Sequence, residues 1–264
     1  MKKLPGTRIW ELDFLRGFSV LMMIGDHLLY DLASFPVWFR NYYQVNLEWI
    51  RDLSGFAAMY WGSDLRTYGH WFFIILFFGV SGISFTFSRN NLKRGLKFAG
   101  VAVLIFLFTY FGEKWTGIQL TIVSGVISIF ALSTLLAWLL RKIWNNDVFI
   151  FIVGTLAVLL GFFLGGDARP GALTWANVPL MFLGFVEYGA DYFTLFPYSG
   201  FLILGTVVGN RLYRSRKSLF PHLDRGWNAP ACFVGRNSLW FFLLHQPVIF
   251  GLLIGIAYSL GYHF

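Results

Sequence analysis

The sequence predicts an all-α fold, a polytopic transmembrane helical bundle of about seven spans whose N-terminus is cytoplasmic. Two observations carry this prediction. Hydrophobic residues make up 57% of the chain and charged residues only 13%, whereas soluble domains carry about 25% charged residues. Apolar runs of roughly 20 residues, the length that crosses the hydrocarbon core of a bilayer, recur along the whole chain. We therefore expect a single integral-membrane domain over residues 1–264, with the lipid bilayer as its main surroundings.

The individual spans follow from the positions of these apolar runs. They are predicted at 14–34, 71–88, 98–112, 118–140, 148–165, 198–212 and 237–259. The first is interpreted as a retained span, because it contains Asp26 and His27 and no small-x-small cleavage site. Residues 36–69 form a long, aromatic-rich excursion between the first two spans. The segment 178–186 is apolar but too short to cross, which indicates an interfacial or re-entrant piece.

The orientation follows from the lysine and arginine bias toward cytoplasmic loops. With the N-terminus inside, sixteen lysines and arginines lie on the cytoplasmic side and five on the other. The five outside residues are Arg40, Arg51, Arg66, Lys114 and Arg169. The bias therefore favours a cytoplasmic start.

Charge and cysteine content exclude other classes of function. The net charge of +8 does not indicate a nucleic-acid partner, because the basic residues lie at the ends of apolar runs rather than on a soluble patch. The single cysteine, Cys232, excludes an internal disulfide and a cysteine-cluster zinc site, and we expect no metal. The absence of an internal repeat is mild evidence against many transporter folds.

The first span carries an aligned stripe of polar residues. At about 100° per residue, Asp13, Arg16, His27 and Asp31 share one side of the helix, with His27 roughly 16 Å deeper than Arg16. That separation suits an acyl donor such as acyl-coenzyme A. Its phosphates would stay at the cytoplasmic end of the span while its long arm delivers the acyl group inward. His27 suits a general base or nucleophile, and Asp31 is placed to orient it. Hydrogen bonding to neighbouring helices is the alternative role of these groups.

The last span holds a second histidine at a similar depth. His245 lies roughly 12–14 Å in from Arg236 and Asn237, and Pro247 should loosen the helix beside it. His245 is interpreted as a catalytic partner and Asn237 as a cofactor contact. A structural histidine fits the pattern equally well.

Two further groups of residues are candidate binding sites. Arg89, Lys93 and Arg94, with Lys97 nearby, form a cytoplasmic cluster able to hold phosphates, although lipid headgroups and topology explain it nearly as well. On the other side, Glu187 and Asp191 lie among aromatic residues and are candidate substrate contacts for a sugar or amine. Ordinary solvated loop acids are the alternative.

These motifs together resemble the catalytic membrane domain of the heparan-alpha-glucosaminide N-acetyltransferase family in its compact bacterial form, which is similar to the acyltransferase-3 family. The motifs run Leu12-Asp13-Phe14-Leu15-Arg16-Gly17 with His27, Phe77-Phe78-Gly79-Val80-Ser81-Gly82, Asp191-Tyr192-Phe193 with Phe196-Pro197, and Ser238-Leu239 with Leu244-His245-Gln246-Pro247. His27 occupies the place of the acyltransferase-3 family's essential histidine. The lysosomal members carry asparagine there and place their active histidine in the following lumenal segment, for which His70 is the nearest candidate here.

The resemblance implies transfer of an acyl group, typically acetyl, from cytosolic acetyl-CoA or another acyl-CoA to a glycan or amino-sugar acceptor across the membrane. It also implies a multi-pass protein of a bacterial plasma (inner) membrane, and it leaves a homodimer open. The alternative from the residues alone is a proton-coupled transporter or flippase that uses His27, Asp31 and His245 as an intramembrane proton relay. A structural or assembly subunit is a third alternative.

Overall fold

A computed structural model describes residues 8–117, 119–164 and 168–264. The helices are α1 Trp10–Ala33, α2 Phe35–Trp38, α3 Glu48–Trp61, α4 Asp64–Phe85, α5 Asn91–Thr116, α6 Val126–Ile143, α7 Asp147–Leu164, α8 Asn177–Leu183, α9 Tyr198–Leu212, α10 Ala229–Arg236 and α11 Ser238–Ser259. Two strands of two residues each, β1 Arg169–Pro170 and β2 Val186–Glu187, and 3-10 turns at Pro221–Leu223 and Gly226–Asn228 complete the described elements. The predicted all-α class is confirmed.

Each predicted span overlaps a helix, but the span predicted at 118–140 begins before α6, which starts only at Val126. Within the described ranges, α4, α5, α6, α7 and α11 are long and apolar enough to cross a membrane. Helix α1 has the length, at 24 residues, but carries several ionisable side chains, and α9 has only 15 residues. The number of crossings and the cytoplasmic N-terminus therefore stay predictions. Lys2, Lys3, Ile118 and Gly165, which the predicted spans and charge count used, lie outside the described residues.

The described chain divides into two compact units. The terminal unit comprises Ile9–Phe77 and Phe220–Phe264, and the middle unit comprises Arg8 and Phe78–Leu219. In the terminal unit, α1 packs against α3, α10 and α11. Helices α1 and α10 touch at two glycines, because a Cβ on Gly17 would lie 1.8 Å from the Ala231 carbonyl oxygen and one on Gly235 1.8 Å from that of Asp13. Only glycine permits this backbone contact.

The long, aromatic-rich excursion predicted after α1 is partly helical, because it contains α2, α3 and the start of α4. Helix α3 buries Ile50, Ser54 and Ala57, which recur at the spacing of one helix face. A buried hydrophobic cluster forms around this segment and the C-terminus, from Leu32, Phe35, Phe39, Tyr42, Ile50, Ala57, Ala257 and Tyr262. Asn41 joins the two, since its Nδ2 donates to the Gly261 carbonyl at 2.7 Å and its Oδ1 accepts from the His263 amide at 2.8 Å.

In the middle unit, α6 packs against α5 and α9, and α7 packs against α9. The small residues at the end of α4 allow a close crossing with α9, where a Cβ on Gly82 would lie 2.0 Å from the Leu202 carbonyl oxygen. The apolar segment 178–186 forms α8 and the start of β2, and β2 pairs in parallel with β1. Its depth in the membrane stays a prediction.

Candidate active site

The two histidines predicted from the sequence are in contact within the terminal unit. His27 on α1 and His245 on α11 have ring centres 4.9 Å apart and ring planes at 75°. The Nδ1 of His27 lies 2.9 Å from the Met23 carbonyl oxygen, and the Nδ1 of His245 lies 2.7 Å from that of Phe242. A carbonyl oxygen only accepts, so each Nδ1 carries the hydrogen. In the neutral rings both Nε2 atoms therefore present a lone pair.

The helix geometry sets the distance between this histidine pair and Arg16. His27 follows Arg16 by eleven residues, a rise of roughly 16 Å along α1. His245 lies two residues before Pro247, and α11 continues as a helix through that proline. A proline inside a helix removes one backbone donor, which frees the carbonyl oxygen one turn earlier. The backbone beside His245 is therefore more polar than an uninterrupted helix would be.

Gln246 is a further site residue, whose role was not predicted from the sequence. Its Nε2 lies 3.0 and 3.1 Å from the two carboxylate oxygens of Asp31, whose side chain is buried. Asp31 was expected to orient His27, but the hydrogen-bond partner that the structure gives its carboxylate is Gln246. The contact ties α1 to α11 one helical turn from the histidine pair. The signal in the sequence was the position of Gln246 between His245 and Pro247.

The arginine predicted at the mouth of the first span lies in a charged cluster. Asp13 is 3.6 Å from the Arg16 guanidinium and 3.5 Å from that of Arg236. Arg16 also donates to the Gly235 carbonyl at 3.4 Å. Asn237, the other predicted cofactor contact of this region, donates its amide to the Phe233 carbonyl on α10. This cluster sits where α10 passes into α11.

A second polar cluster surrounds Asp26 and was not predicted. The Asp26 carboxylate accepts from Arg66 at 3.1 and 3.2 Å and from the Tyr60 hydroxyl at 3.2 Å, and the Nδ1 of His70 lies 3.7 Å away. The Arg66 guanidinium also lies 3.8 Å from the ring centre of Trp61. Burial, followed by the Asp26 charge, raises the pKa of Tyr60. At about 100° per residue, Asp26 lies off the polar stripe that His27 and Asp31 share on α1, and this offset was the available signal in the sequence.

The remaining predicted cofactor contacts belong to the middle unit. Arg89 and Lys93 are exposed, and Asn90 caps α5 by accepting from the Lys93 amide at 2.8 Å. The guanidinium carbon of Arg94 lies 5.9 Å from the ring centre of Phe98. Arg89, Lys93 and Arg94 therefore lie around the capped N-terminus of α5.

The predicted substrate contacts Glu187 and Asp191 also lie in the middle unit. Asp191 accepts from the Val126 amide at 3.2 Å, at the first residue of α6, which is a helix-capping contact. Glu187 is exposed on β2. Burial, followed by the Glu187 charge, raises the pKa of Tyr192 to about 12. Over the described parts of the chain, no group of three or more His, Cys, Asp or Glu side chains could hold a metal ion.

Comparison with known protein families finds a family model that matches most of the chain. The family model for the catalytic domain of heparan-alpha-glucosaminide N-acetyltransferase matches residues 8–247, a range that contains Arg16, His27, His245 and Gln246. No curated protein and no solved structure matches the chain. Since the family model covers most of the chain, the protein belongs to the heparan-alpha-glucosaminide N-acetyltransferase family of membrane acetyltransferases.

Proposed function

We propose that this protein transfers an acetyl group from cytosolic acetyl-CoA to a glycan or amino-sugar acceptor on the other side of the membrane. The observation that carries the proposal is the contact between His27 and His245, whose Nδ1 atoms are both bound to backbone carbonyls. Fixing Nδ1–H in this way leaves Nε2 as the basic atom of each ring. Two such atoms in one site are suited to acid–base work on an acceptor.

In the proposed reaction, His27 Nε2 takes the proton from the acceptor's O–H or N–H group as the acceptor attacks the thioester carbonyl carbon. The new C–O or C–N bond forms, the C–S bond breaks, and the departing thiolate receives the proton and leaves as free CoA. His245 is the proposed partner that shares the proton. The Asp31 carboxylate, one turn along α1 from His27, stabilises the imidazolium by its charge.

The cluster of Asp13, Arg16 and Arg236 supports a site for the phosphates of CoA. Two guanidinium groups share one carboxylate, so these three side chains carry a net positive charge. Guanidinium groups bind phosphate oxygens through paired hydrogen bonds. The rise of roughly 16 Å from Arg16 to His27 leaves length for the pantetheine arm.

The remaining predicted site residues have proposed roles as well. Arg89, Lys93 and Arg94 of the middle unit are proposed as additional phosphate contacts, and Asn237 of the terminal unit as a polar contact of the cofactor. Glu187, with its exposed carboxylate, is the proposed contact for the acceptor. Asp191 is proposed to act beside it by holding the start of α6.

Replacing His27 tests the reaction. We expect His27→Ala to lower acetyl transfer from acetyl-CoA in proteoliposomes by about 10²- to 10⁴-fold, the contribution of a general base, while the protein still inserts into the membrane. His222→Ala is the matched control, because His222 is exposed in a 3-10 turn of the same unit. A His27→Ala protein with wild-type activity would sink this mechanism.

Replacing Arg16 tests the donor. We expect Arg16→Ala to weaken acetyl-CoA binding to the purified protein by about 10- to 100-fold, which corresponds to one lost charged hydrogen-bonding group. Arg40→Ala is the control, since Arg40 is an exposed arginine of the same unit. Equal affinity in the Arg16 and Arg40 variants would contradict the phosphate site at the start of α1. Proton-dependent solute uptake without CoA would favour a transporter instead.

A further inference from the structure

The orientation of the Gln246 side-chain amide is fixed by its partner. One nitrogen, Nε2, lies at 3.0 and 3.1 Å from the two oxygens of Asp31. A carboxylate only accepts hydrogen bonds, so the amide nitrogen must face it. The amide oxygen Oε1 of Gln246 therefore points away from this carboxylate.

Two neighbouring acceptor atoms on α11 lack a protein donor. Within the described part of the chain, Gln246 Oε1 and His245 Nε2 are both buried and neither has a hydrogen-bond partner. In the neutral ring, His245 Nε2 carries a lone pair and no hydrogen, because Nδ1 carries the hydrogen that faces the Phe242 carbonyl. A buried acceptor without a donor costs about 1–3 kcal/mol. Two of them on consecutive residues require a donor that the described side chains do not supply, and a bound molecule can supply it.

Both residues contact the same short stretch of α1. The His245 ring touches His27, and the Gln246 amide touches Asp31, which follows His27 by one helical turn. The pair of acceptors therefore belongs to the region of the histidine pair. Both atoms accept hydrogen bonds and neither donates one, so the pair can bind only hydrogen-bond donors.

We propose that Gln246 Oε1 and His245 Nε2 form a subsite that binds the O–H or N–H hydrogens of the acyl acceptor, with Gln246 as a specificity-determining residue. The inference rests on the proposed function, in which the acceptor alone must bring a transferable proton to the base. The thioester carbonyl of the donor can only accept, so it has no partner in this subsite and is bound elsewhere. Asp31 acts in the same subsite as a positioning residue for the Gln246 amide.

The amide N–H groups of the pantetheine arm share this donor chemistry, so the experiment separates the two substrates. Initial rates of acetyl transfer in proteoliposomes give KM for glucosamine and KM for acetyl-CoA independently. The test variant is Gln246→Met, which keeps the side-chain length and removes the amide. Gln44→Met is the control, because Gln44 is exposed and distant in sequence from the site.

A double variant distinguishes the loss of the subsite from a folding defect. In Asp31→Asn with Gln246→Glu, the amide and the carboxylate exchange places, so an N–H donor still faces a carboxylate across α1 and α11. Residue 246 then still offers an acceptor oxygen to the ligand. Thermal unfolding of each variant in detergent shows whether the helix contact survives.

We expect Gln246→Met to raise KM for glucosamine by about 5- to 15-fold, the effect of one lost hydrogen bond, with KM for acetyl-CoA within about twofold of wild type. The double variant should return KM for glucosamine to within about threefold of wild type. A rise in KM for acetyl-CoA alone would overturn the assignment to the acceptor. Lower thermal stability with both KM values unchanged would show a structural contact only and would also overturn it.

Failure of the proposed function has a different signature. A wild-type protein that binds acetyl-CoA but acetylates no glucosamine contradicts the proposed reaction and the subsite together. A wild-type protein that acetylates glucosamine, with Gln246→Met kinetically identical to Gln44→Met, contradicts the subsite alone.

Discussion

Asp26 and His27 are consecutive on α1 and belong to two different polar clusters. Successive helical side chains point about 100° apart, so His27 meets His245 on α11 while Asp26 meets Arg66 at the start of α4. The Asp26 contacts hold one side of α1 against α3 and α4. Because the same helix carries both residues, these contacts also fix the rotation at which His27 faces α11.

The ion pair of Asp26 should therefore be important for stability. We expect Asp26→Ala to lower the free energy of unfolding by about 2–3 kcal/mol, because it removes hydrogen bonds to a charged group and leaves Arg66 without its carboxylate. Thermal unfolding in detergent measures the change. Asp52→Ala, which removes an exposed carboxylate on α3, should change stability by less than about 0.5 kcal/mol. Equal melting of the two variants would refute a structural role for the pair.

At the scale of the helices, the contact between α1 and α10 places Arg16 beside Arg236. The two backbones touch at Gly17 and Gly235, and Arg16 reaches the Gly235 carbonyl from this crossing. Gly17 directly follows Arg16 in the sequence motif, and the structure gives a reason for that order. The glycine brings the helices together, and the arginine lies at the edge of the contact.

Adding a methyl group at this crossing should separate the helices. Gly17→Ala places a Cβ 1.8 Å from the Ala231 carbonyl oxygen, so we expect a loss of about 1–3 kcal/mol in unfolding free energy, as for other overpacked sites. Gly25→Ala is the control on the same helix, because no atom lies within 4 Å of its added Cβ. Unfolding midpoints compare the two, and a Gly17→Ala protein as stable as Gly25→Ala would contradict the close crossing.

Most of the long helices were predictable from the sequence, and α3 is an exception. Long apolar runs identify a membrane helix by composition alone, and five of the seven predicted spans overlap helices that are long and apolar enough to cross a bilayer. Helix α3 was missed because its buried residues, such as Ile50 and Ala57, occupy one face only and form no long apolar run. Helix α3 packs against α1. The hydropathy of a segment does not show which other helix it packs against.

At the scale of the whole molecule, the placement in the bilayer is a prediction that labelling can test. The lysine and arginine bias puts Lys93 and Lys217 in the cytoplasm and Trp175 on the other side. In a Cys232→Ser background, we expect a membrane-impermeant maleimide to label Trp175→Cys in intact cells, and Lys93→Cys and Lys217→Cys only after permeabilisation. All three positions are exposed. Labelling of Trp175→Cys and Lys217→Cys from the same side would show that α9 does not cross.

The sequence by itself determined the all-α membrane class, and it predicted where the spans lie and that two histidines lie at similar depth. These features depend on residue type and on spacing along one helix, which are local properties of the chain. Only the tertiary structure decided which side chains meet. His27 contacts His245, and Asp31 takes Gln246 as its partner. Such pairings depend on the rotation and crossing of helices far apart in sequence, and no periodicity within one helix contains that information.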